Sequence, residues 1–188
     1  AMLTRDAIET LGFASVGENV QISDRASFYG VARISLGNNL RIDDFCVISA
    51  GAGGIMIGDH VHIAVGASLL GAGKITLSDF VGVSSRVSIY SSNDDFSGKS
   101  LPSVTLLTPE KFRSHVVKPV ILQDYTIIGS NSVLLPGVTI GEGAVVGALS
   151  FVRKNCKPWY TYGGNPLKCL RKRSREMLKF IPELKNME

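Results

Sequence analysis

Apolar residues recur every six positions through a long stretch of the second half of the chain. They are Leu122, Ile128, Leu134, Ile140, Val146 and Val152. Six positions match neither the 3.6-residue period of an amphipathic helix nor the two-residue alternation of a half-buried strand. The spacing indicates short strands joined by turns, in which each group of six residues forms one side of a triangular coil.

A small or β-branched residue follows most of these apolar positions four residues later. The residues concerned are Thr126, Ser132, Val138, Ala144 and Ser150. Together the two positions predict an all-β solenoid, a left-handed parallel β-helix in which the apolar residue points inward and the small residue lies near a corner. The outer faces carry apolar side chains such as Val133 and Val145, which favours packing of separate chains into a trimer.

The same spacing can be followed upstream in four groups of three, separated by steps of eight or nine residues. The groups are Val16, Ile22 and Phe28; Leu36, Ile42 and Ile48; Ile57, Ile63 and Leu69; and Leu77, Val83 and Ile89. The extra residues therefore fall after the third side of each coil, where they are expected to stack along one edge. At that edge the pattern stops for residues 90–118. A long loop without regular structure inside a compact domain is usually functional or disordered.

The remaining segments frame this solenoid within one predicted domain, residues 1–188. Residues 1–13 contain a short helix, with Thr4 as its N-cap and Gly12 as its stop. The β-helix occupies residues 14–153 and includes the loop 90–118. Residues 154–188 form a cap and a basic amphipathic helix from about residue 167 to 180, limited by Pro182.

The composition limits the classes of protein to which the chain can belong. The 188 residues carry a net charge of +4, and no apolar run approaches the ~20 residues of a membrane span. Basic residues crowd the C-terminal part, which suits a phosphate-binding surface or a solvated face. These basic residues are not interleaved with aromatic residues, so the sequence does not support nucleic-acid binding. Three scattered cysteines, Cys46, Cys156 and Cys169, fit a reducing compartment, and we expect a cytoplasmic protein.

Three segments carry a resemblance to a known family. GSNSVLLPGVTIGEG (129–143), VVGALSFVRK (145–154) and YGGNPLKCLR (162–171) resemble the hexapeptide-repeat acyltransferases, in the branch of galactoside, maltose and other sugar O- or N-acetyltransferases. The resemblance implies transfer of an acetyl group from acetyl-CoA to a hydroxyl or amino group of a sugar, nucleotide sugar or glycan unit, in bacterial surface polysaccharide synthesis. It also implies a homotrimer that binds acetyl-CoA between subunits and needs no metal.

The resemblance also assigns residues to the CoA site. Ser130 and Ala148 match the small corner positions beside the pantetheine arm. Arg153 and Lys154 match a pair near the CoA, and Arg171 matches an arginine that approaches the nucleotide phosphates. An arginine fork suits phosphate oxygens.

The position of the general base departs from the family pattern. The branch with galactoside and maltose acetyltransferases has a histidine after the last strand before the loop, and here Asp94 stands at that position. Three candidates remain open: His62 paired with an aspartate, Asp94 itself, and His115 at the far end of the loop. Asp94 or Asp95 could orient an imidazole or act as the base. An ordinary aspartate, with a pKa of about 3.9, suits an amine acceptor better than a hydroxyl.

The loop also offers residues for the acceptor. Tyr90 and Phe96 could form a wall for a sugar ring, with Asn93 as a polar contact. Two other functions use the same fold: a catalytically altered or non-enzymatic trimeric scaffold, and a carbonic anhydrase that needs three zinc-binding histidines. Only three histidines exist in the chain, and His60 and His62 are too close in sequence for the usual zinc arrangement.

Overall fold

The computed structural model describes residues 1–102 and 108–187, and it shows short parallel strands wound into a coil with three flat faces. Each turn of the coil adds one strand to each face, and successive turns pair in register. The prediction of a left-handed parallel β-helix is confirmed.

Every strand of the coil belongs to one of its three faces. The first face contains β1 (Ser15–Val16), β4 (Ile34–Leu36), β7 (Ile55–Ile57), β10 (Ile75–Leu77), β15 (Val120–Leu122) and β18 (Thr139–Ile140). The second face contains β2 (Gln21–Ile22), β5 (Arg41–Ile42), β8 (His62–Ile63), β11 (Gly82–Val83), β16 (Ile127–Ile128), β19 (Val145–Val146), β21 (Tyr160–Gly163) and β22 (Lys168–Lys172). The third face contains β3 (Ser27–Tyr29), β6 (Val47–Ala50), β9 (Ser68–Gly71), β12 (Ser88–Tyr90), β17 (Val133–Leu134) and β20 (Phe151–Val152).

The core is a single column of apolar side chains inside the coil. Ile22, Ile63 and Ile128 occupy the six-residue positions and are fully buried. The small residues four positions later are buried as well, with Thr126 and Ser132 completely covered. Burial of each isoleucine side chain contributes about 1.5–3 kcal/mol. The six-residue spacing therefore predicted which side chains face inward.

Turns at two of the three edges place non-glycine residues in left-handed backbone. We call the edge between the first and second faces the first edge, and the edge between the second and third faces the second edge. The first edge has positive φ at Asn39, His60, Phe80, Tyr125 and Trp159, and the second edge at Phe45, Arg86, Asn131 and Leu149. Non-glycine residues rarely adopt this conformation, so the surrounding strands hold each turn in place.

Aromatic rings stack along the first edge toward the C-terminal end of the coil. His60 stacks on Phe80 with ring centroids 4.5 Å apart, and Phe80 stacks on Tyr125 at 5.3 Å. Trp159 continues the column 6.2 Å from Tyr125. The indole lies over Gly143, where an added Cβ would come within 2.4 Å of the ring. Gly143 therefore makes room for the indole that covers the last turns.

The third edge, between the third and first faces, holds the extra residues, as predicted. A Cβ on Gly51 would lie 2.6 Å from the Cα of Ala72, and one on Gly53 would lie 2.3 Å from the nitrogen of Lys74. These contacts show that the enlarged corners stack directly on one another and that glycine is needed for their close approach.

The loop that leaves the third edge is more regular than predicted. Its ends form a two-stranded antiparallel ribbon of β13 (Ser92–Asp94) and β14 (His115–Val117), and a 3-10 turn covers Glu110–Phe112. The prediction of no regular structure over 90–118 is therefore wrong at both ends of the loop. The part of the predicted loop at 103–107 lies outside the described residues.

The prediction of a basic helix over residues 167–180 is also wrong. Residues Lys168–Lys172 form β22, which pairs antiparallel with β21, and a 3-10 helix follows at Glu176–Phe180. The strand satisfies backbone groups that the last turn of the second face would otherwise leave unpaired, and this outweighs the helical spacing of the side chains. Pro182 does not end a helix; it lies in the first turn of α2 (Ile181–Lys185).

The N-terminal segment folds as predicted. Helix α1 (Arg5–Thr10) begins after Thr4, whose Oγ1 accepts a hydrogen bond from the backbone N–H of Ala7 at 3.3 Å. Gly12 follows the helix with a φ of +83°. None of the helices in the described ranges is long and apolar enough to cross a bilayer.

Candidate active site

Two clefts and one loop bring together most of the residues singled out in the sequence. The first cleft lies at the C-terminal end of the coil and has a volume of about 320 Å³. Arg153 and Lys154 line it, opposite the turn at Asn165 and Pro166. Two cations beside a turn of this kind suit a ligand that carries phosphates.

Arg171 does not line this cleft. It lies on β22 opposite Thr161, with its side chain exposed. Two other basic residues of the same segment are engaged by the fold. Arg173 donates hydrogen bonds to the carbonyls of Tyr125 and Gly143 at 2.8 and 2.9 Å, and the guanidinium of Arg175 lies 5.0 Å from the centre of the Trp159 ring. Burial lowers the pKa of Arg173.

The second cleft lies on the second face and reaches the second edge, with a volume of about 290 Å³. It brings His62 together with Ser130, two residues that the sequence assigned to catalysis and to CoA binding. Its lining comprises His62, Ala64, Gly82, Val83, Ser84, Ser85 and Ser130. Ala148 lies one turn beyond Ser130, because the carbonyl of Ser130 accepts a hydrogen bond from the N–H of Leu149.

His62 is paired with an aspartate, but not with Asp94 or Asp95. Its Nε2 lies 2.8 Å from Oδ2 of Asp43, and Oδ1 of Asp43 accepts a hydrogen bond from Nε of Arg41 at 2.6 Å. Burial raises the pKa of the Asp43 carboxyl, but the hydrogen bonds from His62 and Arg41 outweigh burial and hold the pKa below its ordinary value. Asp43 is thus a carboxylate that orients the His62 ring.

The loop carries the other candidates. Asp94 lies on β13 directly opposite His115 on β14, so the ribbon brings these two residues together. The side-chain amide of Asn93 donates to the carbonyl of Asp94 at 3.1 Å, while Tyr90 is half-buried at the end of β12 and Phe96 is 85% exposed.

Asp95 holds a turn in this loop. Its carboxylate accepts hydrogen bonds from the backbone N–H and the hydroxyl of Ser97 and from the hydroxyl of Ser100, at 2.8–2.9 Å. The bond from the Ser97 backbone N–H, followed by those from the hydroxyls, lowers the pKa of Asp95. A carboxylate stabilised in this way is a poor acceptor for a substrate proton.

Within one chain, the two halves of the candidate site lie on different edges. His62, Ser84 and Ser130 lie at or near the second edge, whereas the ribbon with Asp94 and His115 leaves from the third edge. A site that combines them needs the loop of one chain beside the second edge of another. Among the described residues, no group of three His, Cys, Asp or Glu side chains is arranged to hold a metal ion.

Three residues at or beside the second cleft were not singled out in the sequence: Asp43, Gly82 and Ser84. Two of them follow from the repeat, because Ser84 lies in the turn before the one that holds Ser130, and Asp43 lies one turn before the strand that carries His62. The alignment of turns across the eight- and nine-residue steps was needed to see them.

Comparison with known proteins connects this geometry to a family. Residues 114–154 match the family model of the bacterial transferase hexapeptide (six repeats). The dTDP-4-amino-4,6-dideoxy-D-glucose acyltransferase of Escherichia coli is 48% identical over 179 residues, which cover 95% of this chain and 92% of that protein. A chloramphenicol acetyltransferase of Escherichia coli is 30% identical over 74% of this chain and 54% of its own length.

A solved structure matches the whole fold. The N-acyltransferase AntD of Bacillus cereus, in complex with dTDP and 3-hydroxybutyryl-CoA, superimposes with a TM-score of 0.93 and 40% identity over 99% of this chain and 97% of that chain. Its S84C variant was solved with dTDP-4-amino-4,6-dideoxyglucose and CoA, and its D94N variant with dTDP and CoA. This chain has Ser84 and Asp94 at the same numbers. The chain belongs to the hexapeptide-repeat acyltransferases, the acyl-CoA-dependent enzyme family that its sequence predicts.

Proposed function

We propose that this protein transfers an acyl group from acyl-CoA to the amino group of a dTDP-linked 4-amino-4,6-dideoxy sugar. The observation that carries the proposal is the 48% identity to an acyltransferase of that sugar over nearly the full length of both proteins. That length includes the loop, where sugar acetyltransferases of the family are expected to differ most. The product, an N-acylated nucleotide sugar, suits a cytoplasmic step in surface polysaccharide synthesis.

We infer that the enzyme is a homotrimer in which each active site lies between two chains. The separation of His62 and Asp94 on different edges of one chain supports this, because neighbouring chains can bring a loop to a second edge. The pantetheine arm of CoA would follow the second edge past Ala148 and Ser130, and its phosphates would meet Arg153 and Lys154 in the first cleft.

An amino acceptor changes which base is best suited. Attack by an amine on a thioester produces an acidic ammonium in the tetrahedral intermediate, which a carboxylate can deprotonate. The C–S bond then breaks, and the departing CoA thiolate takes up the proton from the carboxylic acid. We therefore place Asp94 as the proton acceptor, with His115 opposite it, and Ser84 beside the thioester. Binding of both reactants in one site, close together and correctly oriented, supplies a further part of the rate enhancement. His62, oriented by Asp43, lines the end of the cleft.

The proposal is tested by incubating the purified protein with dTDP-4-amino-4,6-dideoxy-D-glucose and either acetyl-CoA or 3-hydroxybutyryl-CoA. Release of free CoA thiol and the mass of the acylated nucleotide sugar are the readouts. A matched acceptor with a hydroxyl in place of the 4-amino group separates N- from O-acylation. No thiol release with the amino sugar and either donor would refute the proposed function.

A further inference from the structure

Gly82 is a glycine that the fold of one chain does not require. Eighteen of the other nineteen glycines either have a left-handed φ or would place a Cβ closer than 3.4 Å to a neighbouring atom, and for Gly147 the nearest atom is at 3.4 Å. Gly82 has neither constraint, since a Cβ there would lie 3.7 Å from Cγ1 of Ile127, an ordinary contact. Glycine inside a strand weakens it through its conformational entropy, so a residue with a side chain would stabilise β11 better.

The missing side chain opens space on the second face. Gly82 lies in register between His62 on one side and Ile127 on the other. The second cleft extends over Gly82 from Ser130 and Ser84 to His62. A larger residue at position 82 would stand in this cleft and separate His62 from Ile127.

The cleft lies in line with the expected path of the donor. Ala148, Ser130 and Ser85 belong to three successive turns at the second edge, since the carbonyls of Ser130 and Ser85 accept hydrogen bonds from the turns that follow. Turns of a parallel sheet are about 4.8 Å apart. A pantetheine arm that passes Ala148 and Ser130 therefore reaches the turn at Ser84 and Ser85. An acyl chain that bends there onto the second face would lie over Gly82, two residues before Ser84 on the same turn.

We propose that Gly82 sets the size of the acyl group that the enzyme accepts, and that the space between His62 and Ile127 holds acyl chains longer than acetyl. This inference rests on the proposed CoA path. Each buried methylene favours binding by about 4-fold, so butyryl-CoA, with two more methylenes than acetyl-CoA, should bind about 15-fold more tightly to the natural protein.

The experiment compares the dissociation constants of acetyl-CoA and butyryl-CoA by calorimetry in the natural protein, Gly82→Ala and Gly82→Val, without acceptor. Gly82→Val should abolish the preference for butyryl-CoA, a change of at least about 10-fold in the ratio, and Gly82→Ala should have a smaller effect. Gln21→Val is the matched control, because Gln21 occupies the same register position of the second face three turns away.

The outcomes separate this inference from the proposed function. A ratio that is the same in Gly82→Val and in the natural protein overturns the inference, even if the amino sugar is acylated. An increase in the KM of the acceptor alone would also overturn it, because the space would then hold the sugar. A preference for butyryl-CoA that is lost in Gly82→Val, with acetyl-CoA binding retained, supports the inference, even in an enzyme that fails to acylate the proposed sugar.

Discussion

The contact between Gly143 and Trp159 gives a prediction about stability that can be worked from the geometry. In Gly143→Ala the new Cβ would lie 2.4 Å from Cδ2 and Cε3 of the Trp159 ring, and the backbone has a φ of +65°. The left-handed conformation costs an alanine about 1–2 kcal/mol. Displacement of a packed ring adds a further cost of about 1–3 kcal/mol. For a chain of this length, the combined effect lowers Tm by about 10 °C.

A control separates the two causes. Gly12→Ala has the same kind of backbone, with a φ of +83°, but its Cβ would meet no atom within 4 Å. It should therefore show the conformational cost alone, about 1–2 kcal/mol. The assay is thermal unfolding by circular dichroism at equal protein concentration, because the stability of an oligomer depends on concentration.

A double-mutant cycle tests whether the ring is the cause. In a Trp159→Leu background, the additional cost of Gly143→Ala over Gly12→Ala should disappear, since the two residues are in contact and their effects are coupled. If Gly143→Ala costs no more than Gly12→Ala in the natural background, or if its cost is unchanged without the indole, the reasoning is refuted.

Four further predictions concern the site and its surroundings. Asp94→Asn should lower kcat at least about 100-fold with the amino sugar, the usual scale of a general base, and a near-normal kcat would exclude that role. Arg153→Ala should raise the KM for acyl-CoA about 10-fold with little change in kcat, whereas Arg171→Ala, outside the cleft, should change it less. The pKa of Asp43 is lowered in the folded protein, so its contribution to stability is present above about pH 4 and is lost as the pH falls through the pKa of the folded state. The Tm of Asp43→Asn should therefore depend less on pH below about pH 4 than the Tm of the natural protein. Equal pH dependence of the two Tm values would contradict the pairing with His62. Thiol labelling of the native protein should modify Cys169 first, because Cys46 is buried and burial raises the pKa of Cys156 to about 12; rapid labelling of Cys156 would contradict this.

The sequence predicted the repeating part of the fold because each turn repeats the same local contacts. Ile63 and Ile128 point inward for the same reason, and their spacing is visible without knowledge of any distant contact. The end of the coil has no such repeat. Residues 168–172 carry side chains that also suit a helix, and only the unpaired backbone of the last turn makes them a strand.

The candidate site was predictable where it follows the register or the family motifs. The sequence assigned Ser130, Arg153 and Lys154 to a CoA site in this way, and each of them lines one of the two clefts. The partner of His62 was not found, because Asp43 precedes it by 19 residues and becomes a neighbour only when the turns are stacked. The hairpin of the loop depends on pairing between Ser92 and Val117 across an irregular segment, for which the repeat gives no signal.

The two ends of the loop meet where it leaves and rejoins the coil, a place called here the neck, and this affects how the loop can change in evolution. Strands β10 and β15 pair in register, from Ile75 with Val120 to Leu77 with Leu122. Between the end of β10 and the beginning of β15 the chain has 42 residues, which include the whole loop. At the neck, the N–H of Lys118 donates to the carbonyl of Ser91 at 3.0 Å and closes the excursion. The loop is therefore a closed insertion: a segment of different length or sequence between Ser91 and Lys118 would leave the pairing of β10 with β15 unchanged.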